Sequence, residues 1–277
     1  MPQGMTLMPD LTSTNIDDAL RFLASEHPSL LQPRSISLGA ATELSVWSKS
    51  RSIGRTLAAA LNAMAQDHSY LEQCSTILNG SAVPRPSDLY GVRSNEFFAI
   101  RGSNDVISDD WNRFLERFSA GLRSVGFSSP VSHGIAGGFH EIAENVVQHS
   151  AENSISEING FAAYELADGR FTFVVCDAGL GVLSSLHTNP AWEHLPTNRA
   201  ALQAIVREHA SRRIGEGAGQ GFRTLFEALA SFNGLVRLHS GNGALWLKGT
   251  LQTTNSCAAT VPANLGLQVT VECDLKK

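Results

Sequence analysis

The segment RFTFVVCD, residues 170 to 177, is apolar at nearly every position after Arg170 and ends on a carboxylate. A strand that is apolar on both faces belongs inside a buried sheet. NGFAAYEL precedes it across Ala-Asp-Gly, a turn sequence, so residues 159 to 177 read as a β-hairpin with the apolar strand second. Asp177 then lies at the rim of a buried sheet, and Gly179 and Gly181 let the backbone turn there with little side-chain obstruction. While ionised, such a carboxylate only accepts hydrogen bonds.

Helical patterns surround this hairpin. Ser108 starts a helix with acids in its first turn and Trp111, Phe114, Leu115, Phe118 and Leu122 on one buried stripe, and Gly126 ends it. Ser129-Pro130 is a second helix start. Gly134, Gly137 and Gly138 each weaken that helix by roughly 1 kcal/mol relative to alanine, which predicts a kink or a true start near Phe139. Further helices are expected near 198 to 210 and 220 to 231. LVRLHS and ALWLKG flank Gly-Asn-Gly as a second hairpin, and LGLQVTVECDL supplies a last strand.

The first hundred residues are less patterned. A helix from Thr14 or Asn15 to about residue 25, a short strand at SISL (35 to 38) and a helix over 55 to 66 are expected, with a linker-like NGSAVPRPSD at 79 to 88. The chain is expected to be α+β. Residues 101–277 form helices on one face of a mixed, largely antiparallel sheet, and a mainly helical region, 1–100, precedes them.

With 277 residues, 43% of them hydrophobic, the chain has material for substantial cores. A net charge of -5 gives no general attraction for phosphate backbones or anionic membranes, so no direct nucleic-acid contact is expected. The N-terminus lacks a secretory pattern and no apolar stretch approaches the roughly 18 to 20 residues of a membrane span, so a cytoplasmic protein without a membrane partner is expected. Cys74, Cys176, Cys257 and Cys273 form no CxxC pair and read as core-filling thiols.

Two further stretches carry chemistry. HEIAENVVQHS, residues 140 to 150, begins like a zinc-protease helix, but Glu144 stands where the second histidine ligand belongs, so a metal hydrolase is excluded. Residues four apart on a helix are nearly superposed, about 6 Å along the axis, so Glu141 and Asn145 share a face. Beside them Ile135, Phe139, Ile142 and Val146 make an apolar stripe. His140 and His149 read as ordinary core or surface histidines. In IGEGAGQGFRTLF, Gly215, Gly217, Gly219 and Gly221 lead straight into an apolar helix, so bare amides and a helix N-terminus converge where an anion fits. It is neither a P-loop nor GxGxxG.

Taken in order, helix Glu-x-x-x-Asn, strand-Asp-x-Gly-x-Gly and Gly-x-Gly-x-Gly opening a helix, residues 108 to 275 resemble the GHKL (histidine kinase-like) superfamily of ATP-binding domains, the Bergerat fold. The resemblance implies that Asn145 coordinates Mg²⁺, an ion suited to oxygen donors. It implies that Asp177 accepts from the adenine amine, with Gly179 and Gly181 letting the ring lie close. Gly215, Gly217, Gly219 and Gly221 would wrap the phosphates of ATP, with Arg212 and Arg213 as further candidates. Glu141 matches the glutamate of members that hydrolyse ATP or phosphorylate serine, where it orients or deprotonates the attacking group.

The interval Val182 to Ile214 would be the ATP lid, its TNRAALQAIVREHASRR stretch helical. The chain departs from the pattern in two ways. It has no His-Glu/Asp-x-x-x-Pro helix, which disfavours an autophosphorylating sensor kinase, and Gly266 is followed by Leu267 where relatives often have threonine. The expected function is therefore a regulatory ATPase or protein serine/threonine kinase with a protein partner. A non-catalytic module switched by ATP is the alternative. For residues 1–100, a helical cap, a partner-recognition domain and part of a homodimer interface all remain open.

Overall fold

The computed structural model describes residues 10–24, 33–49, 59, 61, 64–66, 68–81, 94–150, 159–167, 169–208, 210, 221–229, 232–249 and 256–275. The chain opens with β1 (Asp10–Leu11), α1 (Ile16–Ala24), β2 (Ser35–Ile36), α2 (Leu38–Lys49) and α3 (Ser69–Leu78), with β1 and β2 paired in parallel. There follow β3 (Asn95–Ile100), α4 (Asp109–Ser124), α5 (Ser129–Ser150), β4 (Gly160–Ala167), β5 (Arg170–Asp177), the short α6 (Val182–Leu186), α7 (Asn198–Arg207), α8 (Gly221–Leu229), β6 (Asn233–Gly249) and β7 (Ser256–Asp274). Strands β3 to β7 form one five-stranded sheet in the order β3-β4-β5-β7-β6. Every described pairing in it is antiparallel. This is the expected α+β architecture, and its sheet is already under way at Asn95.

Strand β5 sits in the middle, and its two faces explain the layers. Phe171, Phe173 and Val175 enter a core with Trp111, Phe114 and Phe118 of α4 and Phe139, Ile142 and Val146 of α5. Phe139 stacks on Phe173 at 4.3 Å between ring centres. Val174 and Cys176 point the other way, into a second core with Leu20, Leu44, Trp47, Leu71 and Cys74 of α1, α2 and α3. The helices of residues 101–277 keep to one face, as expected, and the N-terminal helices cover the other.

Helix α2 had no sequence signal because it is buried on all sides, from Leu38 to Trp47, and so has no polar stripe. Within it Glu43, wholly buried, joins a charged cluster between the N-terminal layer and β6. Arg237 donates from Nε to Glu43 Oε1 (2.7 Å) and from Nη1 and Nη2 to both oxygens of Asp17 (3.0 and 2.7 Å). His239 Nδ1 lies 2.5 Å from Glu43 Oε2, while Nε2 faces the carbonyls of Gly241 and Pro262 at 3.2 and 3.1 Å. Burial alone would raise the Glu43 carboxyl, but the charges of Arg237 and His239 outweigh it and hold the group at about 2.

The expected hairpin around Gly-Asn-Gly is not formed. Residues 233 to 249 are one strand, paired with β7 from Asn233↔Asp274 to Leu247↔Ser256, with register shifts at Ser240/Gly241 and Gly241/Gly243. The glycines serve a bend and a seat. A Cβ on Gly243 would lie 2.6 Å from the Arg199 nitrogen, and the Asn198 amide donates to Asn242 Oδ1 at 3.0 Å, so the start of α7 rests on this bend. Trp246 then comes within 4.8 Å of the Arg237 guanidinium. Nine residues of straight strand span about 30 Å.

Helix α7 corrects the lid reading. Thr197 caps it by accepting from Ala200 N at 3.1 Å. Ala201, Leu202, Ala204, Ile205 and Val206 are buried in the core, so this part of the interval is built in rather than hinged above a site.

The glycines of α5 also read differently in three dimensions. The helix runs unbroken from Ser129 to Ser150, without the late start near Phe139. Gly134 and Gly138 lie under α8, where added Cβ atoms would meet Ala228 Cβ at 3.0 Å and Leu225 Cβ at 2.9 Å, whereas a Cβ on Gly137 meets nothing within 4 Å. Gly138→Ala should therefore destabilise by about 1–3 kcal/mol through overpacking. Gly137→Ala should stabilise by about 1 kcal/mol through helix propensity. Urea unfolding midpoints moving in opposite directions are the expected result.

Candidate functional site

Asp177 ends β5 and is 3% exposed. Its Oδ1 accepts from Gly179 N at 2.6 Å and its Oδ2 from Leu267 N at 3.0 Å. Burial raises the carboxyl to about 6, and these two backbone donors pull back against that rise. A carboxylate has about four acceptor positions, so each oxygen retains capacity for a further donor.

The backbone around Asp177 is crowded. A Cβ on Gly179 would lie 2.0 Å from Ser150 O, and one on Gly266, whose φ is +60°, would lie 2.2 Å from Asp177 O. Gly266 N also donates to Gly179 O at 3.0 Å. Leu267, which follows it, therefore matters less as a side chain than as the backbone donor to Asp177.

Glu141 and Asn145, both half-buried, stand on α5 in the stripe that Gly134 and Gly138 begin, at spacings of four, three and four. With Leu225 over Gly138 and Ala228 over Gly134, α8 runs antiparallel to α5. From Leu225 back to Gly221, the first residue of α8, is about 6 Å along the axis. The same advance along α5 reaches the level of Ile142. Glu141 thus lies beside the first turn of α8 and Asn145 about one turn beyond its positive end. Farther along, Ser150 O accepts from Leu180 N at 3.4 Å, which ties the end of α5 to the loop after Asp177. Asn145 precedes Ser150 by about 7.5 Å of helix.

One helix therefore connects Glu141, Asn145, the Asp177 loop and the α8 N-terminus. Gly181, with φ +76°, caps α6, and Gly221 opens α8. Gly215, Gly217, Gly219, Arg212 and Arg213 lie outside the described residues, as do the side chains of Gln148 and His149. His140 belongs to helix packing: Trp111 Nε1 donates to its Nδ1 at 2.8 Å, which leaves the proton on Nε2, 3.7 Å from Glu144. Among the described residues no three His, Cys, Asp or Glu side chains converge on a metal position. A cation at this site would lean on the Asn145 amide and on oxygens brought by a ligand. Also among the described residues, no helix is long and apolar enough to cross a membrane.

No known family model matches the chain, and no curated protein matches it either.

A ligand that donates an N–H to Asp177 favours the ionised form, so its binding should weaken as pH falls through about 6. Asp177→Asn places an amide donor against the Gly179 or Leu267 N–H. It should flatten the pH profile and weaken such a ligand by about 1–3 kcal/mol, roughly 5- to 150-fold. Calorimetric titration with ATP, the ligand that the sequence resemblance implies, on either side of that pH reads both effects, and a wild-type affinity indifferent to pH there contradicts a ligand donor at Asp177.

Proposed function

We propose that the protein binds Mg²⁺-ATP in the manner of the histidine kinase-like superfamily and acts on a protein partner, as a regulatory ATPase or a protein serine/threonine kinase. One arrangement carries this reading. A buried carboxylate with spare acceptor capacity sits among bare glycine backbone, and the adjoining helix carries Glu-x-x-x-Asn to the N-terminus of a second helix.

Asp177 selects the base. The adenine exocyclic amine donates to it, whereas guanine presents a carbonyl oxygen there and leaves a buried charge opposite an acceptor. Asn145 offers an amide oxygen to the cation, and the positive end of α8 faces the phosphates. When bound, Mg²⁺ neutralises charge on the phosphate oxygens. Glu141, level with the first turn of α8, orients or deprotonates the water or hydroxyl that attacks the terminal phosphoryl group.

Glu141→Ala should retain ATP binding and lose about 10²- to 10⁴-fold in phosphate release or transfer. Asn145→Ala should lose the magnesium dependence of binding. ATP labelled at the γ-phosphate, supplied with and without a candidate partner, measures turnover and transfer together. Tight binding with neither product in the wild type would favour a non-catalytic switch, and absence of ATP binding would dismiss the proposal.

A further inference from the structure

Ser240 is fully buried at the last position of β6 before its first register shift. Its hydroxyl accepts from Val182 N at 2.9 Å and donates to Gly266 O at 2.7 Å. Those two backbone groups flank the two that hold Asp177. Gly179 N bonds to one carboxylate oxygen, Leu267 N to the other, and Gly266 N closes back onto Gly179 O. The result is a ring of hydrogen bonds in which Asp177 and Ser240 are the two side chains and all other partners are backbone. Gly181 completes the fit, since a Cβ there would lie 2.9 Å from Ser240 Oγ.

We propose that Ser240 is a positioning residue for Asp177, a hydroxyl that holds the loop after β5 and the Gly266–Leu267 step of β7 in register about the base-reading carboxylate. This rests on the nucleotide reading above and deepens it. Without the hydroxyl, Val182 N–H and Gly266 C=O lose a buried partner. The two segments then separate, and the N–H groups of Gly179 and Leu267 loosen from Asp177. Both favour the ionised carboxylate, so their loss leaves burial less opposed and moves the Asp177 titration upward from about 6. A residue that merely filled space in β6 would not alter that titration.

The test follows the Asp177 carboxyl carbon by NMR across pH in the full chain without nucleotide, with Asp177→Asn used for assignment. Ser240→Ala should titrate at higher pH than wild type, bind ATP about tenfold more weakly and show a narrower preference for ATP over GTP. Ser240→Thr, which keeps the hydroxyl, should restore the titration. Should Ser240→Ala not fold, Ser240→Cys fills similar space with a weakly bonding thiol and carries the same comparison. A titration unmoved in the folded variant overturns the role of Ser240. A wild-type protein that fails to bind ATP strikes down the nucleotide reading and the role of Ser240 within it; one that binds ATP, with an unmoved titration in the variant, strikes down Ser240 alone.

Discussion

The two-sided burial of β5 governs the rest of the structure. Seven consecutive residues, Phe171 to Asp177, are buried, alternating between two cores. At about 25 cal/mol per Å² of apolar surface removed from water, neither set of side chains is tolerable in solvent. A single helical layer therefore cannot satisfy this sheet. The second layer comes from the N-terminal helices, which makes residues ahead of Asn95 part of the same folding unit as the candidate site. The burial of Asp177, and hence its raised titration, follows from the same enclosure.

The charged cluster between those layers fits the same logic. Arg237, Glu43, Asp17 and His239 lie where α1 and α2 meet β6, almost wholly out of water. Taking such charges from solvent carries a large desolvation penalty, and a hydrophobic substitute is often as stable or more so. Its specific contribution here is register. The bidentate contact of Arg237 with Asp17, combined with its bond to Glu43, is met in one alignment of the N-terminal helices against the strand.

What the sequence revealed was what local patterns encode. The β4–β5 hairpin was legible from its apolar run and Ala-Asp-Gly turn, and α4 from its stripe and the Ser108 cap, which accepts from Trp111 N at 3.1 Å. Helix α2 was not, because burial on every side removes the periodicity by which helices are recognised. Gly-Asn-Gly misled for a related reason. Its turn chemistry is strong locally, but pairing with β7 and the close seat of Arg199 decide its conformation. Gly134 and Gly138 looked like weak points since the helix lying over them is distant in sequence. Within the candidate site, spacing alone put Glu141 and Asn145 on one face and Asp177 at a strand end. Ser240 and Gly266 gave no comparable signal, because their significance arises from contacts across some sixty and ninety residues.

The bend in β6 has a mechanical meaning. Beyond it, the end of the β6–β7 pair reaches α1 through the Arg21 contact to Thr260 O at 3.4 Å, and α7 through the Arg207 bond to Ser256 at 2.6 Å. In most layered folds the central sheet insulates its outer layers from each other. Here the end of one strand pair touches a helix of each outer layer.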